Sequence, residues 1–175
     1  MAKIVGYIAA SLDLFIADRD DKLDWLFRYN DMDFGEHHYD RFIETVDTVV
    51  MGRATYGWLV ENGAPWAYGD KRVFVVTSSP IEAPLGPLTT TGNVDALIRQ
   101  LREDPGGPVW MLGGARLQMT FMERGALDEI EIYLMPELLG GGTPLFPPTG
   151  FRASPTLISA KAMDRGCVRL HYRFG

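Results

Sequence analysis

A chain of 175 residues is long enough to bury a sizeable core in one domain, and 46% hydrophobic against 23% charged residues is ordinary for a globular protein. A net charge of −6, with no long basic run, argues against nucleic acid or an anionic membrane surface as the main partner. The lone Cys167 excludes an intramolecular disulfide, no apolar run is long enough to cross a bilayer, and no apolar signal segment follows Lys3, so a cytoplasmic protein is expected.

Lys3 to Ala10 is an almost unbroken apolar run, the pattern of a strand buried on both faces. Ser11 to Ala17 leaves that strand, and Asp18 to Lys22 is a solvated turn. Leu23 to Asp33 reads as a long irregular segment with Trp25, Phe27 and Tyr29. Its rings either line a pocket for a flat ligand or pack beneath the loop as a satellite core.

Phe34 to Thr45 reads as a helix, with Phe34, His38, Phe42 and the following Val46 spaced for one face. Asp47 to Met51 is a second buried strand, ending at Gly52-Arg53, where Ala54 to Leu59 starts a helix. Bare N–H groups at such a helix start, with the helix dipole behind them, attract anions, and Arg53 adds a fork of donors. Asn62 to Asp70 is a loop carrying Trp66. Arg72 to Thr77 is a third buried strand, and Thr77, Ser78 and Ser79 place hydroxyl donors at its end.

Pro84 to Thr91 is a connection with room for a short edge strand. Asn93 caps a helix from Val94 to about Glu103, which Asp104 to Pro108 breaks. Val109 to Leu112 is a strand, Gly113-Gly114 ends it, and Ala115 to Arg124 follows as a helix closed by Gly125. This is either an anion site or simply a tight strand-to-helix turn. Leu127 to Met135 alternates as a strand, and Pro136 to Phe146 is a glycine-rich loop. Thr156 to Ala162 and Val168 to Phe174 form a hairpin turned at Asp164-Arg165-Gly166, with Cys167 read as packing.

Strands alternating with helices predict an α/β fold: a mixed, mostly parallel sheet, helices on both faces, and a C-terminal antiparallel hairpin at one edge, all in one domain spanning 1–175. Ligands of such sheets bind at the carboxyl ends of the strands. Strand ends at Gly52-Arg53, Thr77-Ser78-Ser79 and Gly113-Gly114 converge there, which points to a phosphate-bearing cofactor.

Val49-Val50-Met51-Gly52-Arg53-Ala54-Thr55-Tyr56 resembles the strand-Gly-Arg-x-Thr-aromatic signature of the dihydrofolate reductase superfamily. Val109 to Phe121 resembles that family's Gly-Gly helix, and Gly142-Thr143-Pro144-Leu145-Phe146 its late Gly-x-Thr loop. Ile8 to Ala17 and Asp24-Trp25-Leu26 are closer to one branch, the reductase domain of bifunctional riboflavin biosynthesis proteins and its stand-alone relatives. Leu14 departs from that branch, which usually carries glycine after the residue matching Asp13.

The resemblance implies an NADPH-dependent reductase. Arg53 with Ser78 or Ser79 would hold the adenosine 2′-phosphate, with Thr77 beside them. Gly52, Thr55 and the run Gly113, Gly114, Ala115, Arg116, Leu117 would flank the pyrophosphate. Ala10 and Ile16 would lie against the nicotinamide, and a cis peptide is expected at Gly113-Gly114. Glu36, Asp40 and Asp13 are the candidate proton donors. Trp25, Tyr29, Trp58 and Trp66 would shape the substrate pocket.

The adjacent His37 and His38 point to different helix faces, so no metal is expected. A small heterocyclic or carbonyl compound is the expected substrate, and the resemblance to the riboflavin branch implies a homodimer, to which the C-terminal strands would offer Leu170, Tyr172 and Phe174 close to Leu157 and Ile158. The competing reading is a nucleotide-binding protein that kept the cofactor cradle and lost the chemistry.

Overall fold

The computed structural model describes residues 1–175. The first apolar run forms β1 (Ile4–Ser11), followed by the short β2 (Phe15–Ala17), one helical turn α1 (Asp24–Phe27) and α2 (Tyr39–Thr45). Next come β3 (Thr48–Gly52), α3 (Arg53–Glu61), β4 (Arg72–Val76), β5 (Thr89–Thr91) and α4 (Val94–Glu103). The chain closes with β6 (Val109–Gly113), α5 (Ala115–Glu123), β7 (Glu129–Met135), β8 (Thr143–Pro144), β9 (Thr156–Ala162) and β10 (Val168–Arg173).

Eight strands form one sheet in the order β5-β4-β3-β6-β1-β7-β10-β9. The first six run parallel, and β10 and β9 add the antiparallel edge. The second sheet pairs β2 with β8. There the chain passes so close that a Cβ on Gly142, which has φ +136, would sit 2.0 Å from the Ala17 carbonyl oxygen, so only glycine fits.

The pleat divides the core. Ile4, Val50, Phe74, Met111, Ile130 and Ile132 face one side, where Leu97 and Leu101 of α4 and Phe121 and Met122 of α5 cover them. Val49, Met51, Val73, Val75 and Trp110 face the other, under Tyr56 of α3 and Phe42 of α2. Each large apolar side chain fully buried this way contributes about 1.5–3 kcal/mol. Further along that second face, Tyr133 and Met135 pack with Trp25, Tyr29 and Met32. The aromatic segment is therefore a satellite core in part, and Cys167, fully buried within it, is packing.

The predicted helix over Phe34 to Thr45 is broken. A 3-10 turn, Gly35–His37, precedes α2, and His38 between them is extended, with φ −62° and ψ 144°. Local side chains explain the break. Asp33 accepts a bond from the Gly35 N–H at 2.7 Å, and the His38 ring accepts one from the Asp40 N–H at 3.2 Å, capping α2. Glu36 and Asp40 therefore lie on different elements. Leu14 carries φ +63, a backbone state that favours glycine.

One feature of the ladder shapes the site. β1 pairs with β6 only from Ile4–Val109 to Gly6–Met111, while β1 stays paired with β7 up to Ser11–Met135. β6 stays paired with β3 as far as Met51–Gly113. Beyond Gly6 and Met111 the two central strands part, opening a cleft toward their carboxyl ends.

Candidate active site

Three strand ends meet beside this cleft. A Cβ on Gly52 would lie 3.7 Å from the Gly114 nitrogen and 3.9 Å from the Leu117 Cβ. A Cβ on Gly114 would lie 3.4 Å from the Thr55 hydroxyl. The starts of α3 and α5 thus sit side by side. Gly52 and Gly114 are their N-caps, and neither helix has a side-chain cap, so the first-turn N–H groups remain available to an anion. The Gly113–Gly114 peptide is cis, as the resemblance implied.

Arg53 is exposed at the start of α3, its guanidinium 5.7 Å from the Tyr56 ring centre, and forms no ion pair within the chain. Arg116 is likewise exposed and Ala115 buried. Thr77 closes its own turn by accepting from the Ser79 N–H at 3.1 Å, leaving Ser78 and Ser79 exposed. Gly92, which sequence reasoning did not single out, backs this turn: a Cβ there would lie 3.5 Å from the Thr77 carbonyl oxygen. Ala10 and Ile16 pack on the apolar core beside the cleft. Glycines without side chains, uncapped amides and an unpaired arginine are the donor set that a dinucleotide phosphate requires, so the ledge fits such a cofactor.

A cavity of about 300 Å³ lies over β1 and β7, on the face covered by α1 and α2. Tyr7, Ala9, Tyr133 and Met135 form its floor, and Leu26, Tyr29, Phe34, His38 and Tyr39 its walls, with Asn30 at the rim. Tyr7 and Ala9 belong to the part of β1 that has left β6, so the cavity and the cleft share a wall. A larger open groove of about 840 Å³ lies elsewhere, near the amino ends of β3 and β4, around Asp47, Arg72 and Asp104. It is remote from the glycine ledge.

Three of the four tyrosine hydroxyls of the cavity are already engaged, Tyr39 being the exception. Tyr7 donates to the His37 carbonyl at 3.0 Å, Tyr133 to Glu131 at 3.0 Å and Tyr29 to Glu137 at 2.7 Å. Burial pushes the Tyr7 hydroxyl up to about 12, and raises Tyr133 as well. Both rings are neutral phenols at any physiological pH.

The proposed pocket aromatics need correction. Tyr29 lines the cavity, but Trp25 is packed behind it. Trp58 is carried by α3 and does not reach the cavity. Trp66 stacks edge-on against Tyr68 at 5.1 Å and lies across Gly86, in the core over β3 and β4. The loop after α3 returns over β3 and β4, the part of that face away from β7, so its ring serves packing there. Tyr7, Tyr39 and Tyr133 line the cavity and were not singled out in the sequence. The alternation of β1 and β7 marks Tyr7 and Tyr133 as facing together, a signal that their strand context concealed.

None of the three candidate carboxylates lines the cavity. Asp13 accepts from the Ser11 hydroxyl at 2.6 Å and from the N–H groups of Leu139 and Gly140 at 3.1 and 2.8 Å. The Ser11 bond, with those backbone bonds, holds it below the ordinary carboxylate range, ionised and acting as a clamp between two loops. Glu36 is exposed and paired with Lys161 at 3.3 Å, which also lowers it. Asp40 alone is tied to the cavity, through His38: its carboxylate lies 3.4 Å from the His38 Nδ1.

A mostly parallel sheet of this order, with a Gly-Gly ledge and a parted central strand pair, is the dihydrofolate reductase-like fold. Dihydrofolate reductase from Enterococcus faecalis, in complex with NADP(H), superimposes with a TM-score of 0.65 at 16% identity, covering 99% of this chain and 96% of that one. The chain belongs to the RibD C-terminal domain family, whose model matches residues 2–169.

Uncharacterized protein YwjB of Bacillus subtilis (strain 168) is 36% identical over 171 residues, covering 97% of both chains. A protein of Shewanella sp. PV-4 named for riboflavin biosynthesis superimposes with a TM-score of 0.84 at 30% identity, covering 100% of this chain and 99% of that one. The Thermotoga maritima diaminohydroxyphosphoribosylaminopyrimidine deaminase/5-amino-6-(5-phosphoribosylamino)uracil reductase shares the fold at a TM-score of 0.70 and 15% identity. The match covers 99% of this chain and 57% of that larger one. No helix of this chain is long and apolar enough to cross a membrane.

Proposed function

We propose that the protein is an NADPH-dependent reductase of small heterocyclic compounds, working in the cytoplasm. The observation that carries this is the junction of ledge, cleft and cavity. Gly52 and Gly114 bring two uncapped helix starts together, and the parted β1 and β6 lead from there to the ring-lined cavity. Bound NADPH would supply the hydride. Arg53 with Ser78 or Ser79 would hold the 2′-phosphate. Thr55, Thr77 and the run Gly113 to Leu117 would flank the pyrophosphate, and Ala10 and Ile16 would face the nicotinamide.

The chain's own contribution is to bind, orient and exclude water. Asp13 fixes the loop after β1 to the loop after β7, closing one side of the cleft. Among the three carboxylates only Asp40 lies beside a cavity residue, 3.4 Å from the His38 Nδ1, and because that nitrogen accepts the Asp40 N–H, a proton relay through it would require this cap to open. A homodimer would form through the face of β9 and β10 that carries Leu157, Leu170 and Tyr172, with Ile158 at the bulge beside it.

The test is cofactor discrimination. Titration of the protein with each coenzyme, followed by nicotinamide fluorescence, should show NADPH bound more tightly than NADH. Arg53→Ala should weaken NADPH at least tenfold and NADH little. Equal loss for both coenzymes, or binding of neither, refutes the reading.

A further inference from the structure

We propose that the substrate is a planar, unphosphorylated heteroaromatic compound that presents ring N–H groups, and that phosphoribosyl compounds are excluded. This rests on the reductase reading of the same site and specifies what enters it.

The lining decides the charge. None of the ten residues around the cavity is lysine or arginine. Four cations of the surrounding elements are paired with carboxylates: Arg28 to Glu137 at 3.0 Å, Arg169 to Glu131 at 2.7 Å, Arg165 to Asp31 at 2.9 Å and Lys161 to Glu36 at 3.3 Å. Arg41 of α2 is exposed and outside the lining. A phosphate dianion taken into this cavity would lose its hydration without gaining a cation, a heavy desolvation penalty.

The hydrogen-bond inventory points the same way. The hydroxyl protons of Tyr7, Tyr29 and Tyr133 are given to the His37 carbonyl, Glu137 and Glu131. Those phenols offer lone pairs to a ligand, not protons. The amide start of α2 is used as well, since the Asp40 N–H donates to the His38 ring. The donors left for a phosphate are the Tyr39 hydroxyl and the Asn30 amide, with no lysine or arginine beside them, whereas a ring N–H finds acceptors in the phenol oxygens. The Asn30 side chain makes no bond within the protein and stands at the rim, able to pair with the N–H and C=O edge of a lactam ring.

Shape completes the case. Tyr7 and Tyr133 lie 4.8 Å apart, and Phe34 meets Tyr133 edge-on at 5.7 Å, so the cavity presents ring surfaces suited to a flat guest. At about 300 Å³ it is at the small end for ligand pockets, enough for a fused bicyclic ring and little more.

The experiment uses two matched pairs of probes, each with and without phosphate: 6-hydroxymethylpterin and its phosphate ester, and 5-amino-6-ribosylaminouracil and its 5′-phosphate. Binding is read by calorimetry on the intact protein, with and without NADP⁺. The unphosphorylated member of at least one pair should bind, and its ester at least tenfold more weakly. Asn30→Arg, at an exposed position that the fold does not depend on, should narrow that gap at least threefold. An ester that binds as tightly as its parent, failure of both parents to bind, or an unchanged gap in the arginine variant overturns the inference. NADPH titration in the absence of any ring compound is read separately, so loss of the reductase reading and loss of this one are distinguishable.

Discussion

Gly52 and Gly114 stand opposite one another where β3 and β6 end, close enough that a Cβ on the first would lie 3.7 Å from the backbone nitrogen of the second. That separation is ordinary van der Waals contact, so a small side chain at either position fits the folded chain. What it would obstruct is the space in front of the two helix starts. Gly114→Ala, whose Cβ would meet only the Thr55 hydroxyl at 3.4 Å, should therefore keep the thermal transition within a few degrees of the parent, while weakening NADPH at least tenfold. Nicotinamide fluorescence and a thermal melt on the same sample check it. Unchanged NADPH affinity would show that the ledge carries no phosphate.

Leu14 occupies the left-handed region at φ +63, with 41% of its surface exposed. An L-residue pays roughly 1–2 kcal/mol to stay there, and glycine almost nothing. Its backbone is fixed by a bond from Leu14 N–H to the Ser11 carbonyl and another from Leu145 N–H to its own carbonyl, so the turn persists without the side chain. Leu14→Gly should raise unfolding free energy by about 0.5–1 kcal/mol, after the extra chain entropy of glycine is offset. Urea denaturation measures this, and a loss of stability would mean that the leucine side chain contributes more than its exposure suggests.

How far the sequence was legible follows from such residues. Unbroken apolar runs marked β1, β3, β4 and β6, because strands buried on both faces have no other composition. Gly52 and Gly114 were legible for the same reason that they matter: only glycine leaves a strand end bare. The cavity was not legible. Its floor combines Tyr7 and Tyr133, far apart in the chain and joined only through the β1–β7 register. The break at His38 was hidden because Phe34, His38 and Phe42 keep helical spacing while an aspartate and an imidazole take over the backbone bonds. Aromatic residues, read one at a time, did not reveal which part of a sheet face they would reach. Trp66 and Tyr29 look alike in sequence and end in different cores.

Gln118 lies fully buried in α5, and neither its amide nitrogen nor its amide oxygen has a partner in the protein. Its oxygen would lie 3.5 Å from a Cβ on Gly6, beside the last residue pair that β1 and β6 share. An unpaired buried amide costs about 1–3 kcal/mol. Gln118→Met keeps the length and removes the polar atoms. Its melting temperature should rise by several degrees when no cofactor is present. A fall would indicate that the amide is satisfied through ordered water, with the network detected as slowed exchange of nearby backbone amides.

Acid should unfold the protein through the carboxylates of β7. Burial raises Glu129, but Lys3, His171 and Arg173, at 2.6, 2.8 and 3.2 Å, outweigh it and hold the carboxyl below its ordinary value of 4.5. Burial likewise raises Glu131, and Arg169 at 2.7 Å outweighs it with help from Tyr133. Depressed carboxylates contribute stability that is fully present above the unfolded value, and that contribution is lost as pH falls through the folded one. The carboxylate contribution to the unfolding free energy should therefore be level from pH 7 to about 5.5 and then decline from near pH 4.5 downward, while His37, held below its ordinary value by burial, adds a separate fall in the first interval. Glu129→Gln should lower stability at pH 7 and flatten the decline below pH 4.5, because its ion pairs are already absent. The measurement is guanidinium unfolding at half-unit steps of pH. A variant whose acid slope matches the parent would remove Glu129 from the account and leave Glu131 as the remaining buried candidate.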